Sequence, residues 1–316
     1  SRPRRTALSS SRLRLGIGDD AALISPVRGL DFVVTCDAFL ENIHFLPDVH
    51  SPDSVGYKSL ARATSDIAAM GAIPRFFLLT LALPARRTGQ WLDGFLAGMS
   101  RAAREYHLLL AGGDTSCQPA VAISITVIGE IARGAALARS GARPGDLIYA
   151  SGTLGADQLG LQLLRRGLHR RKRWKPLLHP HCYPAIRIAL GRFLAVRHLA
   201  SATIDLSDGL STDLARLCAS SRVGARLSLD RIPAVAVPPH LRARGFDPLA
   251  FALHGGDDYE LLFTVPRRNA KKIPARYLGV RLTPIGEITR ERKVCLVGKD
   301  GRAVPLHPLG WDHFRV

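Results

Sequence analysis

A chain of 316 residues with 47% hydrophobic content has room for about two domains with packed cores, which excludes wholesale disorder. Its formal net charge is +18, from 44 Lys and Arg against 26 Asp and Glu, and this raises a polyanionic partner as one reading. Five scattered cysteines with no CxxC pair exclude a disulfide framework and read as the reduced thiols of a cytoplasmic protein, and no apolar run nears the ~18 residues of a membrane span.

In chain order, the opening stretch carries Arg2, Arg4, Arg5, Arg12 and Arg14 and lacks the apolar core of a secretory signal. Residues 31–36 are predicted as a strand. Residues 52–70 are predicted as a helix, with Ser51 or Asp53 near its N-cap, Pro52 in its first turn, and Gly71 and Pro74 ending it. A strand follows over 75–83. Over 88–106, Trp91, Phe95, Met99, Ala102 and Tyr106 recur at helical spacing and predict a core-facing stripe. Residues 121–131 form a long strand. The turn-rich stretch 141–146 is the best boundary, giving an N-terminal domain of 1–140 and a C-terminal domain of 141–316. Beyond it come a strand over 147–150, a helix after Gly155, a helix over 184–196, a strand over 202–206, a helix over 208–219, and strands over 259–265 and 293–297. The fold class is α/β (α+β), in two halves.

Cations cluster at 165–175, where Arg165, Arg166, Arg170, Arg171, Lys172, Arg173 and Lys175 read as a solvated loop or insertion after a helix. No zinc-finger, RRM or KH pattern accompanies them, so specific nucleic-acid binding is not expected.

The acidic residues are placed differently. Five segments join an apolar stretch to one or two carboxylates: Gly18-Asp19-Asp20, Thr35-Cys36-Asp37, Ser65-Asp66, Gly112-Gly113-Asp114-Thr115 and Asp205-Leu206-Ser207-Asp208-Gly209. Each alone reads as a turn or a helix cap. Gathered in one cleft, Asp20, Asp37, Asp66, Asp114, Asp205 and Asp208 would repel one another strongly unless cations and a polyphosphate filled the space. Carboxylates are the hard oxygen donors that Mg²⁺ takes. No Walker A loop, dinucleotide fingerprint or protein-kinase signature is present, so an ATP site here would rest on metal-bridged phosphates.

The segments GIGDDAAL, TCDAFLENIHFLPD, YKSLARATSDIAAMGA, AGGDT, RSGARPGDLIY, ATIDLSDGLSTDLARL, HGGDDYELLFTVP and GWDHF stand in the order found in one family. The chain resembles the thiamine-monophosphate kinases, of the superfamily named for aminoimidazole ribonucleotide synthetase, from about Leu15 to Phe314. The resemblance implies a two-domain fold with an N-terminal domain that forms a homodimer through its sheet. It implies direct transfer from ATP to thiamine monophosphate with several Mg²⁺ ions, the final step of thiamine diphosphate synthesis. It also implies roles. Asp20, Asp37, Asp66, Asp114, Asp205 and Asp208 match metal-binding positions, with Thr35 and Cys36 beside them. Gly113, Arg139 and Ser207 match nucleotide contacts. His44, Asp257 and Trp311 match contacts to the acceptor. Asp114, Asp208 and Arg139 are the expected catalytic set.

Two departures stand out. Gly255-Gly256-Asp257-Asp258 is one methylene shorter than the family's usual Gly-Gly-Glu-Asp, and Cys36 replaces a usual hydroxyl residue. The alternatives are a selenophosphate or aminoimidazole ribonucleotide synthetase of the same superfamily, a nucleic-acid-binding protein, or a catalytically silent dimer. HGGDDYELLF and GWDHF favour the kinase.

Overall fold

The computed structural model describes residues 13–15, 23–24, 26–312 and 314. They divide into two compact units: residues up to 63 together with 73–134, and 64–72 together with 135 onward.

In the first unit, β1 (Leu13–Leu15) and β2 (Leu23–Ile24) form a small antiparallel pair. Next come β3 (Leu30–Leu40), α1 (Pro52–Ala69, whose residues to Ala63 belong here), β4 (Ile73–Leu83), α2 (Gln90–Glu105), β5 (Leu109–Cys117) and β6 (Ala122–Ala132). Their sheet has the order β3-β6-β4-β5, antiparallel except for the β4–β5 pair. Burial alternates along β3. Phe39 is buried, whereas Phe32 (48% exposed) and Val34 (62%) lie on the open side of this edge strand with Cys36 and Leu40.

Two glycines set the distance between α1 and α2. A Cβ on Gly56 would lie 1.9 Å from the Phe95 carbonyl oxygen, and one on Gly98 would lie 1.9 Å from that of Asp53. Each helix thus accepts the other's backbone at a point where no side chain fits. Gly98→Ala is expected to destabilise the protein by about 3 kcal/mol or more, since backbone cannot yield as a side-chain tip does. Chemical denaturation checks this, and an unchanged midpoint would refute the close crossing.

The second unit contains β7 (Leu147–Ser151), α3 (Ala156–Arg165), α4 (Lys175–Cys182), α5 (Ile188–Val196), β8 (Ala202–Asp205), α6 (Leu210–Ser221), β9 (Gly224–Ser228), α7 (Pro239–Arg242), α8 (Pro248–His254), β10 (Leu261–Val265), β11 (Arg276–Tyr277), β12 (Val280–Thr289), β13 (Val294–Val297) and β14 (Ala303–Pro305). The sheet order is β14-β13-β9-β12-β7-β10-β8, with β11 on β12. β8 and β10 are buried along their whole lengths, including the polar Thr203, Asp205 and Thr264. Ile148, Ile204, Leu214, Leu262 and Ile285 belong to the main core, and Leu159, Leu163, Trp174, Phe246 and Phe251 to a second one.

Several elements differ from the sequence reading. The strand predicted over 31–36 runs on to Leu40, so Asp37 is inside it. Asp66 lies within α1, and Gly112 to Thr115 within β5. Three of the five carboxylate segments are therefore regular structure, not sharp turns. Pro74 does not merely end a helix; it sits in β4, where the register shifts before Phe76 and its missing N–H is tolerated. The helix predicted from 184 begins only at Ile188. The stretch 165–175 is no loose loop, because Leu168 and Trp174 anchor it in short 3₁₀ turns.

Candidate active site

In the second unit, antiparallel pairing of β10 with both β7 and β8 brings three chain segments to one rim of the sheet. Leu261 stands opposite Asp205, and its N–H donates to the Ser151 hydroxyl at 2.9 Å. Asp205 is thus the last residue of β8, and the loop after it carries Ser207 and Asp208. Gly209 follows with φ 103, and a Cβ there would lie 2.8 Å from the Gly255 carbonyl oxygen. Only glycine both adopts that backbone and lets the 254–260 loop approach.

That loop is fastened along most of its length. The Asp257 N–H donates to the Ser207 carbonyl and the Tyr259 N–H to that of Leu206, at 2.8 and 2.9 Å. The Tyr259 hydroxyl donates to Asp257 Oδ1 at 2.5 Å. Asp258 accepts from the Gly155 N–H at 2.6 Å and the Asp157 N–H at 3.3 Å, capping α3. Buried Glu260 accepts from the Ser151 hydroxyl and from two nitrogens of the Arg187 guanidinium, with Nε at 2.6 Å. Asp257 (φ 64) and Tyr259 (φ 51) are both left-handed, which costs on the order of 1–3 kcal/mol each and is held in place by these bonds. Asp157, Tyr183, Arg187, Asp257, Asp258 and Glu260 line a cavity of 610 Å³.

The carboxylates on this rim are electrostatically costly. Burial, and after it the nearby Asp66, pushes the Asp205 carboxyl up to about 8; Asp213 acts in the same direction, while Ser65 and Arg139 oppose it. Asp213, on the buried face of α6, is pushed up to about 7, chiefly by burial. It accepts from the Asp208 N–H at 2.9 Å, and Arg216 pairs with both Asp208 and Asp213. Burial likewise raises Asp258 well above the ordinary carboxylate range. The backbone N–H of Trp311, an exposed residue, donates to the Asp208 carbonyl at 3.0 Å and ties the 311 segment to this loop.

The second unit therefore assembles Asp66, Arg139, Asp205, Ser207, Asp208, Asp257 and Trp311 around one rim. The first unit carries the other candidates, spread across its sheet. Asp37 is gripped by the Arg62 fork at 2.6 and 3.2 Å. Thr35 shares its strand face, whereas the Cys36 thiol points to the opposite, open face, 3.5 Å from the Ser124 hydroxyl. Asp114 is exposed on the far edge strand; register runs from it through Thr80 and Ser124 to Ala38, three strand spacings or roughly 14 Å across. A Cβ on Gly113 would meet the Leu79 carbonyl oxygen at 1.9 Å. His44 Nδ1 accepts the Leu40 N–H at 2.9 Å, and its ring stacks on Phe39. Asp20 lies outside the described residues.

Reading the sequence missed Asp213, Arg216, Arg187 and Glu260. Asp213 had a signal: it interrupts the stripe Leu210, Leu214, Leu217, where a carboxylate is costly unless used. The Arg187–Glu260 pair joins residues 73 positions apart and had none.

Among the described residues, no three His, Cys, Asp or Glu side chains close into a ready-made metal cage. The donor chemistry nevertheless fits Mg²⁺, which takes one or two carboxylates and completes its shell with water and phosphate. Burial and the nearby Asp66 raise the cost of ionising Asp205, and a divalent cation would relieve it.

An AIR synthase related protein N-terminal domain matches residues 18–131, and an AIR synthase related protein C-terminal domain matches 143–299. Over 312 residues the chain is 39% identical to the thiamine-monophosphate kinase of Escherichia coli strain K12, covering 96% of this chain and 94% of that one. The crystal structure of thiamine-monophosphate kinase from Stenotrophomonas maltophilia K279a superposes with a TM-score of 0.83 at 36% identity, covering 94% of each chain. That of AaThiL complexed with AMPPCP and TMP gives 0.79 at 31% identity, covering 94% of this chain and 92% of that one. The fold and rim define an AIR synthase-type protein with a carboxylate-rich site. Within that class, the chain belongs to the thiamine-monophosphate kinase family.

Proposed function

We propose that this chain transfers the γ-phosphoryl group of ATP to thiamine monophosphate, giving ADP and thiamine diphosphate. What carries the reading is near-full-length membership of the family together with a rim that gathers the Asp66, Asp205 and Asp208 carboxyl groups, where burial and the neighbouring Asp66 oppose ionisation of Asp205. The acceptor's phosphate needs no general base, because its second pKa of about 6 leaves it mostly dianionic at neutral pH. The barrier is the approach of two polyanions, so positioning and charge neutralisation dominate.

Asp66, Asp205 and Asp208, with Asp20, Asp37 and Asp114 and the oxygens of Thr35 and Cys36, would hold several Mg²⁺ ions. Bound there, magnesium would neutralise and bridge the phosphates. Arg139, exposed in the second unit, would neutralise nucleotide phosphate with its guanidinium, alongside Gly113 and Ser207. On the acceptor side, Asp257 presents a carboxylate to the cavity, Trp311 offers a π-face for the cationic thiazolium, and His44 completes the set. Arg187, Glu260 and Asp258 hold Asp257 in its left-handed conformation and act as positioning residues.

The exposed stripe Phe32, Val34, Cys36 and Leu40 on edge strand β3 supports a homodimer formed through the first unit's sheet. Five cysteines that form no disulfide support a reducing, cytoplasmic setting, and no described helix is long and apolar enough to cross a membrane. The same reading keeps a domain boundary near 140.

Product analysis with ATP, Mg²⁺ and thiamine phosphate tests the reaction, with unphosphorylated thiamine and aminoimidazole precursors as controls. Thiamine diphosphate is expected from thiamine phosphate alone; turnover of an aminoimidazole precursor instead would move the chain to a sister family. Trp311→Ala is expected to raise KM for thiamine phosphate roughly three- to thirtyfold and leave KM for ATP unchanged. Equal effects on both would remove the indole from the acceptor site.

A further inference from the structure

The strongest charge feature of the molecule lies outside the rim. From 158 to 204 the chain contains no Asp or Glu, yet seven of the eleven residues from 165 to 175 are Arg or Lys. Buried Leu168 and Trp174 pin this stretch to the second core, and Trp174 packs on His240 with ring centroids 5.0 Å apart. All seven cationic residues are exposed. Arg166 donates to the Arg244 carbonyl at 2.6 Å and lies over the Phe246 ring, which brings exposed Arg242 and Arg244 alongside.

No carboxylate pairs with any of the seven among the described residues. The acids nearest in sequence are already engaged: Asp157 is buried against His181, and Asp247 caps α8. Holding so many like charges on an ordered surface is unfavourable, and a solvated loop would spread them apart. A polyanion removes that cost.

The chemistry selects among polyanions. Arginine dominates the patch, and its planar fork suits phosphate oxygens. None of the exposed large apolar side chains lies within 158–192 or 231–247. The patch therefore lacks exposed Phe, Tyr or Trp platforms for stacking unpaired bases and the apolar anchors that enter a lipid surface. We propose that the surface formed by 165–175 and 242–244 docks the phosphodiester backbone of a double-stranded nucleic acid, without reading its sequence.

The test is fluorescence anisotropy of the full chain with labelled 20-base-pair DNA and RNA duplexes of arbitrary sequence, titrated with salt. If about four phosphates are engaged, affinity should fall roughly a hundredfold between 50 and 200 mM salt. The variant Arg170→Ser, Arg171→Ser, Lys172→Ser, Arg173→Ser should bind at least tenfold more weakly at 50 mM, with a shallower salt slope and unchanged kinase turnover. A control variant removes four cations elsewhere: Arg268→Ser, Lys271→Ser, Arg290→Ser and Lys299→Ser. It should keep most of the parental affinity. The proposal is overturned if both variants weaken equally, since net charge alone would then explain binding. It is equally overturned if the parent binds neither duplex at 50 mM, or if anionic phospholipid vesicles or a single strand outcompete the duplex.

Discussion

Asp205→Asn is expected to lower turnover roughly a hundred- to a thousandfold while making the protein more heat-stable in chelator at pH 8.5. The two effects share one cause. Burial and the Asp66 carboxylate raise the Asp205 carboxyl to about 8, against 3.8 for an ordinary aspartate. Across that interval the folded chain holds a proton that the unfolded chain has released, so stability falls as pH rises from about 4 to 8. Asp213, raised to about 7, falls in the same window and steepens the slope. The Asn variant carries no charge to bury. It should match the parent near pH 4, melt increasingly above it as pH climbs, and gain less from added Mg²⁺. Thermal melts between pH 4 and 8.5, with and without Mg²⁺, provide the measurement. Parental turnover would take Asp205 out of the phosphate site; a variant melting below the parent at pH 8.5 would mean that the ionised carboxylate is already well compensated.

The second large effect concerns Arg187. Replacing it by Ala strands the buried Glu260 carboxylate with only the Ser151 hydroxyl, and removing one partner of a buried pair costs about 3–5 kcal/mol. The Asp257 loop would then relax from its two left-handed residues. Arg187→Ala should therefore lose both stability and acceptor affinity, with KM for thiamine phosphate rising more than KM for ATP. Arg187→Ala with Glu260→Gln removes the stranded charge and should recover much of the stability but not the acceptor affinity. If the double variant recovers both, the pair is structural only. Equal losses in the two KM values would place Arg187 outside acceptor positioning.

Much of the second unit was legible residue by residue. The short runs of β8 and β10 are rich in apolar and β-branched residues, and Gly155 and Gly209 mark where chain turns into helix. β12 was not legible, because Pro284 and Gly286 disguise a long strand whose register shifts between them. β9 was hidden by its brevity and by the exposed Arg226 at its centre. In the first unit, Asp37 and Asp114 looked like turn carboxylates because each follows an apolar run; strand pairing carried both runs onward.

Local residue order determined the family, the identity of the acidic and glycine-rich segments, and most elements, because periodicity, backbone freedom and motif order act over a few neighbours. Only the tertiary structure decided which carboxylates bear an electrostatic cost, that Arg62 grips Asp37, that Thr35 and Cys36 face opposite ways, and that Arg187 and Glu260 pair beside the Asp257 loop. These depend on desolvation and on contacts between residues far apart in the chain. Both arise only when sheet registers close, and no short window of sequence contains them.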